Sequence, residues 1–124
     1  MHPAGVYDLP DESLFQVDVQ NGVCKEIETA KVAVKISDVE HNVEQVVWYF
    51  MSETSMIELT GSDDFEISQG ADNTTAKLVV KSVTSEKEGV YLCQFSFSKS
   101  QAINVSTIVD LIGSTSLIII HKNL

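Results

Sequence analysis

Few residues in this chain have the type and spacing to do chemistry. Cys24 and Cys93 supply two thiols and one candidate disulfide, and their spacing matches no zinc-ligand frame. His2, His41 and His121 fall in a tail, a loop and a terminus, and none sits in a motif frame with a cysteine or serine nucleophile. Asp63, Asp64 and Glu66 form an acidic cluster that could attract calcium, but it lacks the EF-hand frame, and a solvated turn is the simpler account. There is no glycine-rich phosphate loop. The expectation is a non-enzyme with no cofactor and no metal. What remains is modification and recognition: Asn73-Thr74-Thr75 and Asn104-Val105-Ser106 are both glycosylation acceptors if the chain is secreted.

Composition narrows the classes further. A chain of 124 residues suffices for one domain with a real core and not for two. A formal charge of −10 argues against nucleic acid and against an anionic membrane surface, both of which need clustered Lys or Arg. It suits a surface domain, or a partner with a basic patch. No apolar run reaches the length of a membrane span, and Leu117–Ile120 is too short even for the apolar part of a signal peptide, so direct membrane insertion of this segment is not expected. The start at Met1-His2-Pro3 reads either as a cut from a longer chain or as a cytosolic start.

The elements that must position these residues are strands. Residues 1–12 hold both prolines and little pattern, and read as a tail or linker. Leu14–Val19 alternates through Phe15, Val17 and Val19, and Asn21-Gly22 reads as a turn or kink. Thr29–Ile36 alternates with Val32, Val34 and Ile36 on one face. Val43–Met51 is a strongly β-prone run containing the single tryptophan, Trp48. Ile57–Leu59, Phe65–Ile67, Thr75–Lys81 and Val90–Phe97 are further strands, with turns at Gly61–Asp64 and Gly70–Asn73. No window sustains a helical period. Many short strands with regular turn signals predict an all-β sandwich, expected to occupy 13–121, with 122–124 as a C-terminal tail.

A polar corner at Ser82–Glu88 leads into Gly89-Val90-Tyr91-Leu92-Cys93, with Tyr91 two residues before Cys93. A buried tyrosine at such a corner needs a backbone acceptor for its hydroxyl. This arrangement resembles the tyrosine corner of the immunoglobulin superfamily. The resemblance covers about residues 14–121 and implies a two-sheet Greek-key sandwich of the immunoglobulin type. It places Trp48 on strand C and Cys93 on strand F, and it puts Ile36 where the strand B cysteine normally stands. Ile36 fills that space without a covalent tie, a loss that typically costs about 2–5 kcal/mol. Phe65-Glu66-Ile67-Ser68 resembles the strand D motif of the V-set, with the I-set as rival because the interval from strand C to strand D is short. The V-set ion pair between a basic residue before that Phe and an Asp at the E–F corner is charge-swapped here, to Asp64 and Lys87. Gly113–Ile119 resembles the V-set strand G. Ser98–Gly113 is long for an F–G connection, yet Ile103, Val105, Thr107, Val109 and Leu111 alternate, which reads as a tall F–G hairpin bent at Gly113.

The resemblance puts Cys24 on strand A or A′. A′ normally pairs with G, which leaves it about 10 Å from F. Two readings therefore stand: a Cys24–Cys93 bridge, or two unpaired core thiols. It also orients strand C. With Trp48 inward, Val46 and Phe50 follow it, and Val47, Tyr49 and Met51 face outward beside Leu92, Gln94 and Ser96 of strand F. Val47, Tyr49, Met51, Leu92 and Gln94 are the expected partner-binding residues, on the sheet formed by G, F, C and C′. The resemblance then implies an extracellular recognition or adhesion module of a cell-surface membrane protein, binding another protein, either a copy of itself or another immunoglobulin-type domain. A domain without the strand B cysteine is similar to invertebrate allorecognition-type receptors. The alternative is a structural module of an intracellular, muscle-filament-like protein, which also dispenses with the bridge.

Overall fold

The structure is a computed structural model that describes residues 16–37, 42–98 and 101–113. Among these residues nine strands form, in chain order β1 (Gln16–Gln20), β2 (Gly22–Cys24), β3 (Ala30–Ser37), β4 (Gln45–Met51), β5 (Met56–Glu58), β6 (Phe65–Gln69), β7 (Thr75–Val80), β8 (Gly89–Ser98) and β9 (Gln101–Leu111). One 3₁₀ turn, Ser85–Lys87, precedes β8. The strands make two sheets, β1-β3-β7-β6 and β2-β9-β8-β4-β5. The fold is all-β, a two-sheet sandwich.

Alternation in the sequence becomes the two faces of each sheet. On β3 the residues Ala30, Val32, Val34 and Ile36 are buried while Lys31 and Lys35 are exposed. On β8 Tyr91, Cys93, Phe95 and Phe97 point inward. On β9 Ile103, Val105, Thr107, Val109 and Leu111 do the same. The two inner faces close over one core that also contains Trp48, Leu78, Val80 and Val83. Each fully buried aliphatic or aromatic side chain of this kind contributes about 1.5–3 kcal/mol relative to exposure.

The first strand changes sheets. β1 pairs antiparallel with β3, and β2 pairs parallel with β9. The switch falls at Asn21-Gly22. Gly22 is buried there, and a Cβ at this position would lie 3.1 Å from Ala30 Cβ, 3.1 Å from Lys31 O and 3.2 Å from Val32 Cγ1. A larger residue would push the crossing away from β3. The Asn21 side chain takes the next place in the ladder, with its Oδ1 accepting Ile108 N–H at 2.9 Å. The expected kink at Asn21-Gly22 is thus a crossover between layers.

The described strands bear on three expectations. The strand beside β8 is β9, Gln101–Leu111, paired with it from Gly89↔Val109 to Ser98↔Gln101. It lies between β8 and β2, the strand G position; the expectation of strand G at Gly113–Ile119 falls, after Gly113, outside the described residues. The alternation over Ile103–Leu111, expected as part of a tall F–G hairpin, is the alternation of this strand. Next, no strand intervenes among the described residues between β5 and β6. Finally, the Cys24–Cys93 bridge is absent, and both thiols are free and buried. Cys24 is level with Leu111 of β9 and Cys93 with Val105, so they are six positions apart along that strand. That offset is about 20 Å, in addition to two strand spacings of about 10 Å. A disulfide tolerates a Cα separation of only about 7 Å. Leu14 and Phe15 also lie outside the described residues, as do His2, His41 and His121.

Candidate functional site

The corner that sets the register is built as a chain of backbone and side-chain contacts. Tyr91 Oη donates to the Lys87 carbonyl at 2.6 Å, closing a loop of four residues. The Lys87 ammonium lies 2.9 Å from Asp64 Oδ1 and donates to the carbonyls of Lys81 at 2.7 Å and Ser82 at 3.4 Å. The Tyr91 ring packs against Phe50, with centroids 4.9 Å apart, and Phe65, at 6.3 Å. Burial pushes the Tyr91 phenol well above its ordinary range. The corner is a clamp between β6, the 3₁₀ turn and β8.

Trp48 sits at the centre of the core, directly opposite Cys93 across the β4–β8 ladder, and both are fully buried. Ile36 is buried on the facing sheet. The Trp48 indole nitrogen has no hydrogen-bond partner among the described residues. Burial pushes the Cys93 thiol up to about 12. Cys24 is raised too, by burial first and then by the Glu28 and Glu88 carboxylates. Neither thiol has the depressed value that a nucleophile or metal ligand requires. In the acidic cluster Asp64 pairs with Lys87 and Glu66 with Lys81 at 3.4 Å. No group of three or more potential metal ligands occurs among the described residues.

The outer face of the five-stranded sheet is the remaining candidate. Strand register places its residues in cross-strand rows. Gln45, Ser96 and Ala102 form one; Val47, Gln94 and Asn104 form the next; Glu58, Tyr49, Leu92 and Ser106 the third; and Met56, Met51, Val90 and Ile108 the fourth. The fourth row is apolar from edge to edge. Val47, Tyr49, Met51, Leu92 and Gln94 all lie on this face, each half-buried by its neighbours on the sheet rather than fully exposed. Tyr49, Met51 and Leu92 adjoin Val90 and Ile108 into one patch, with Met56 exposed at its rim. No lysine or arginine occurs in β2, β4, β5, β8 or β9. The opposite sheet carries Lys31, Lys35 and Lys77 on its outer side.

The sequence reading missed Met56, Val90 and Ile108 as members of the patch. They join it only through register. It also missed Glu88, which looks like one more charge in a solvated corner. Glu88 is buried, and its Oε2 accepts the N–H of Leu111 at 2.9 Å. The glycosylation triplets differ in setting. Asn73 has a positive φ of 63° and donates through Nδ2 to Val43 O at 3.2 Å. Asn104 is exposed on the outer face, at the β9 end of the row Val47–Gln94–Asn104.

No protein-family model matches the sequence, and no curated protein does so at significance. Among solved structures, the chain is similar to "Anomalous substructure of Titin-A168169", with a TM-score of 0.61 and 16% identity over 78% of this chain. The match spans 46% of that titin chain. At that identity the likeness speaks to architecture alone. No helix among the described residues is long and apolar enough to cross a membrane. Strand order, the Tyr91 corner and the titin likeness converge on one conclusion: the chain has the immunoglobulin-like sandwich fold.

Proposed function

We propose that this domain is an extracellular recognition module that binds another protein through the outer face of the five-stranded sheet. The observation that carries the reading is the continuous apolar row Met56–Met51–Val90–Ile108 with Tyr49 and Leu92 beside it, on a sheet without a basic residue. An apolar centre containing tyrosine and methionine is the composition of a protein interface core. The partner is another immunoglobulin-type domain or a second copy of this one, as in receptors of the allorecognition type, and the domain belongs to a cell-surface protein. Tyr49→Asp tests the face. Wild type and variant are compared by analytical ultracentrifugation at high micromolar concentration, and by capture of the domain itself and of its neighbours in the full-length protein. Loss of association or capture in the variant supports the reading. A monomeric wild type, together with capture that Tyr49→Asp leaves unchanged, sinks it.

A second reading has its own support. Both thiols are unpaired, and the strand B position holds Ile36. Reduced cysteines suit the cytosol, where a structural module of a multi-domain filament protein would reside. Isolation of the native protein from a reducing compartment would favour this reading over the first.

A further inference from the structure

Asn104 stands on β9 at the outer end of its row on the proposed docking face, beyond the short stretch Val109–Leu111 that β2 covers. It shares a row with Gln94 and Val47, and the row holding Leu92 and Tyr49 begins at Ser106, about 7 Å along the strand. Asn104 and Ser106 both point outward, while Val105 between them is buried. Gln94 Nε2 donates to Asn104 Oδ1 at 3.1 Å, which fixes the orientation of the amide. Its Nδ2 therefore turns away from Gln94 and has no partner among the described residues. Asn73 also accepts from a glutamine, Gln69 Nε2 at 3.4 Å, but it is half-buried and its Nδ2 is committed to Val43 O.

We propose that Asn104 carries an N-linked glycan and that this glycan closes the five-stranded face to its protein partner, an inference that rests on the extracellular reading above. The donor class is a lipid-diphosphate-linked oligosaccharide. A bond forms between Asn104 Nδ2 and the anomeric carbon of the first sugar. The bond from that carbon to the diphosphate oxygen breaks, the lipid diphosphate leaves, and the amide gives up one proton, with no oxidation or reduction. The glycan is bulky and hydrated. Rooted one row from Tyr49, it covers the side chains that a partner must reach. Docking would require the sugars to be displaced or dehydrated, so occupancy sets the fraction of molecules able to bind. Chains without the glycan present the open face.

Mass spectrometry of the native protein gives occupancy at Asn104 and Asn73. Hydroxyl-radical labelling then compares secreted wild type with Ser106→Ala, which removes the triplet and keeps Asn104. Phe65 on the other sheet serves as the reference. The expected result is a glycan at Asn104 and a loss of labelling at Tyr49 and Met51 in wild type relative to Ser106→Ala. If Ser106→Ala fails to fold, enzymatic removal of the glycan from wild type makes the same comparison. Equal labelling with and without the glycan overturns the proposal. A bare Asn104 beside a glycosylated Asn73 overturns it alone, whereas both bare would also remove support for the extracellular reading. Protection of Tyr49, in a protein whose partner capture is indifferent to Tyr49→Asp, overturns the docking face and the gating together.

Discussion

The Glu88 carboxylate and the Leu111 amide meet at 2.9 Å in the buried end of the sandwich. This contact fastens the last residue of β9 to the corner that precedes β8. Glu88→Ala would leave the Leu111 N–H without its acceptor, at a cost of about 1–3 kcal/mol. Glu88→Gln keeps an acceptor oxygen and is expected to cost less. Hydrogen exchange at the Leu111 amide checks the assignment, and unchanged protection in Glu88→Ala would refute it.

The Tyr91 hydroxyl and the Lys87 ammonium serve the same corner with different energies. Tyr91→Phe removes one hydrogen bond to a backbone carbonyl and is expected to cost about 0.5–1.5 kcal/mol in urea denaturation. The Asp64–Lys87 pair has its carboxylate 61% exposed, so a double-mutant cycle should give a coupling of about 0–1 kcal/mol. Lys87→Met is expected to cost more than Asp64→Asn, because Lys87 also holds the Lys81 and Ser82 carbonyls. Equal losses would show that those carbonyl contacts contribute nothing.

Alkaline pH should weaken the fold through its buried thiol. The Cys93 value rises from an ordinary 9.0 to about 12 because burial disfavours the thiolate. The unfolded chain therefore releases this proton first, and the stabilisation is intact below pH 9 and drains away towards pH 12. Each such group contributes a slope of about 1.4 kcal/mol per pH unit in that window. Tyr91, raised in the same direction, adds to the decline at higher pH. Urea midpoints measured from pH 8 upward should fall, and Cys93→Ala should flatten the first part of the curve. An unchanged slope in that variant would contradict the buried-thiol account.

The resemblance to immunoglobulin domains puts Ile36, buried on the sheet facing Cys93, at the position of the strand B cysteine. Ile36→Cys is expected to form a disulfide with Cys93 under oxidising conditions and to raise stability by about 2–4 kcal/mol relative to its own reduced form. Peptide mapping identifies the linkage. Bridging to Cys24 instead, or two persistent free thiols, would show that residue 36 does not face Cys93.

Much of this architecture is legible from periodicity. Period-two runs such as Val32-Val34-Ile36 mark strands because one face must be dry and the other wet. Tyr91 marks the corner because its buried hydroxyl demands an acceptor. Trp48 then sets which of its neighbours turn outward. What stays hidden depends on pairing between distant segments. Met56, Val90 and Ile108 join Met51 only once three ladders are in register. Glu88 reads as a surface charge until the end of β9 is laid over it. The partner of β8 announces itself by the alternation of Ile103, Val105, Thr107, Val109 and Leu111, though which ladder that run enters is fixed only by pairing.

The crossover at Asn21 and Gly22 binds a single short segment to both layers. Its first half edges one sheet through β3, and its second half edges the other through β9. A protease cut that released residues 16–24 would strip a border from each layer at once and uncover the backbone of two strands. The sandwich is laced by one thread, and it would unravel from that thread rather than layer by layer.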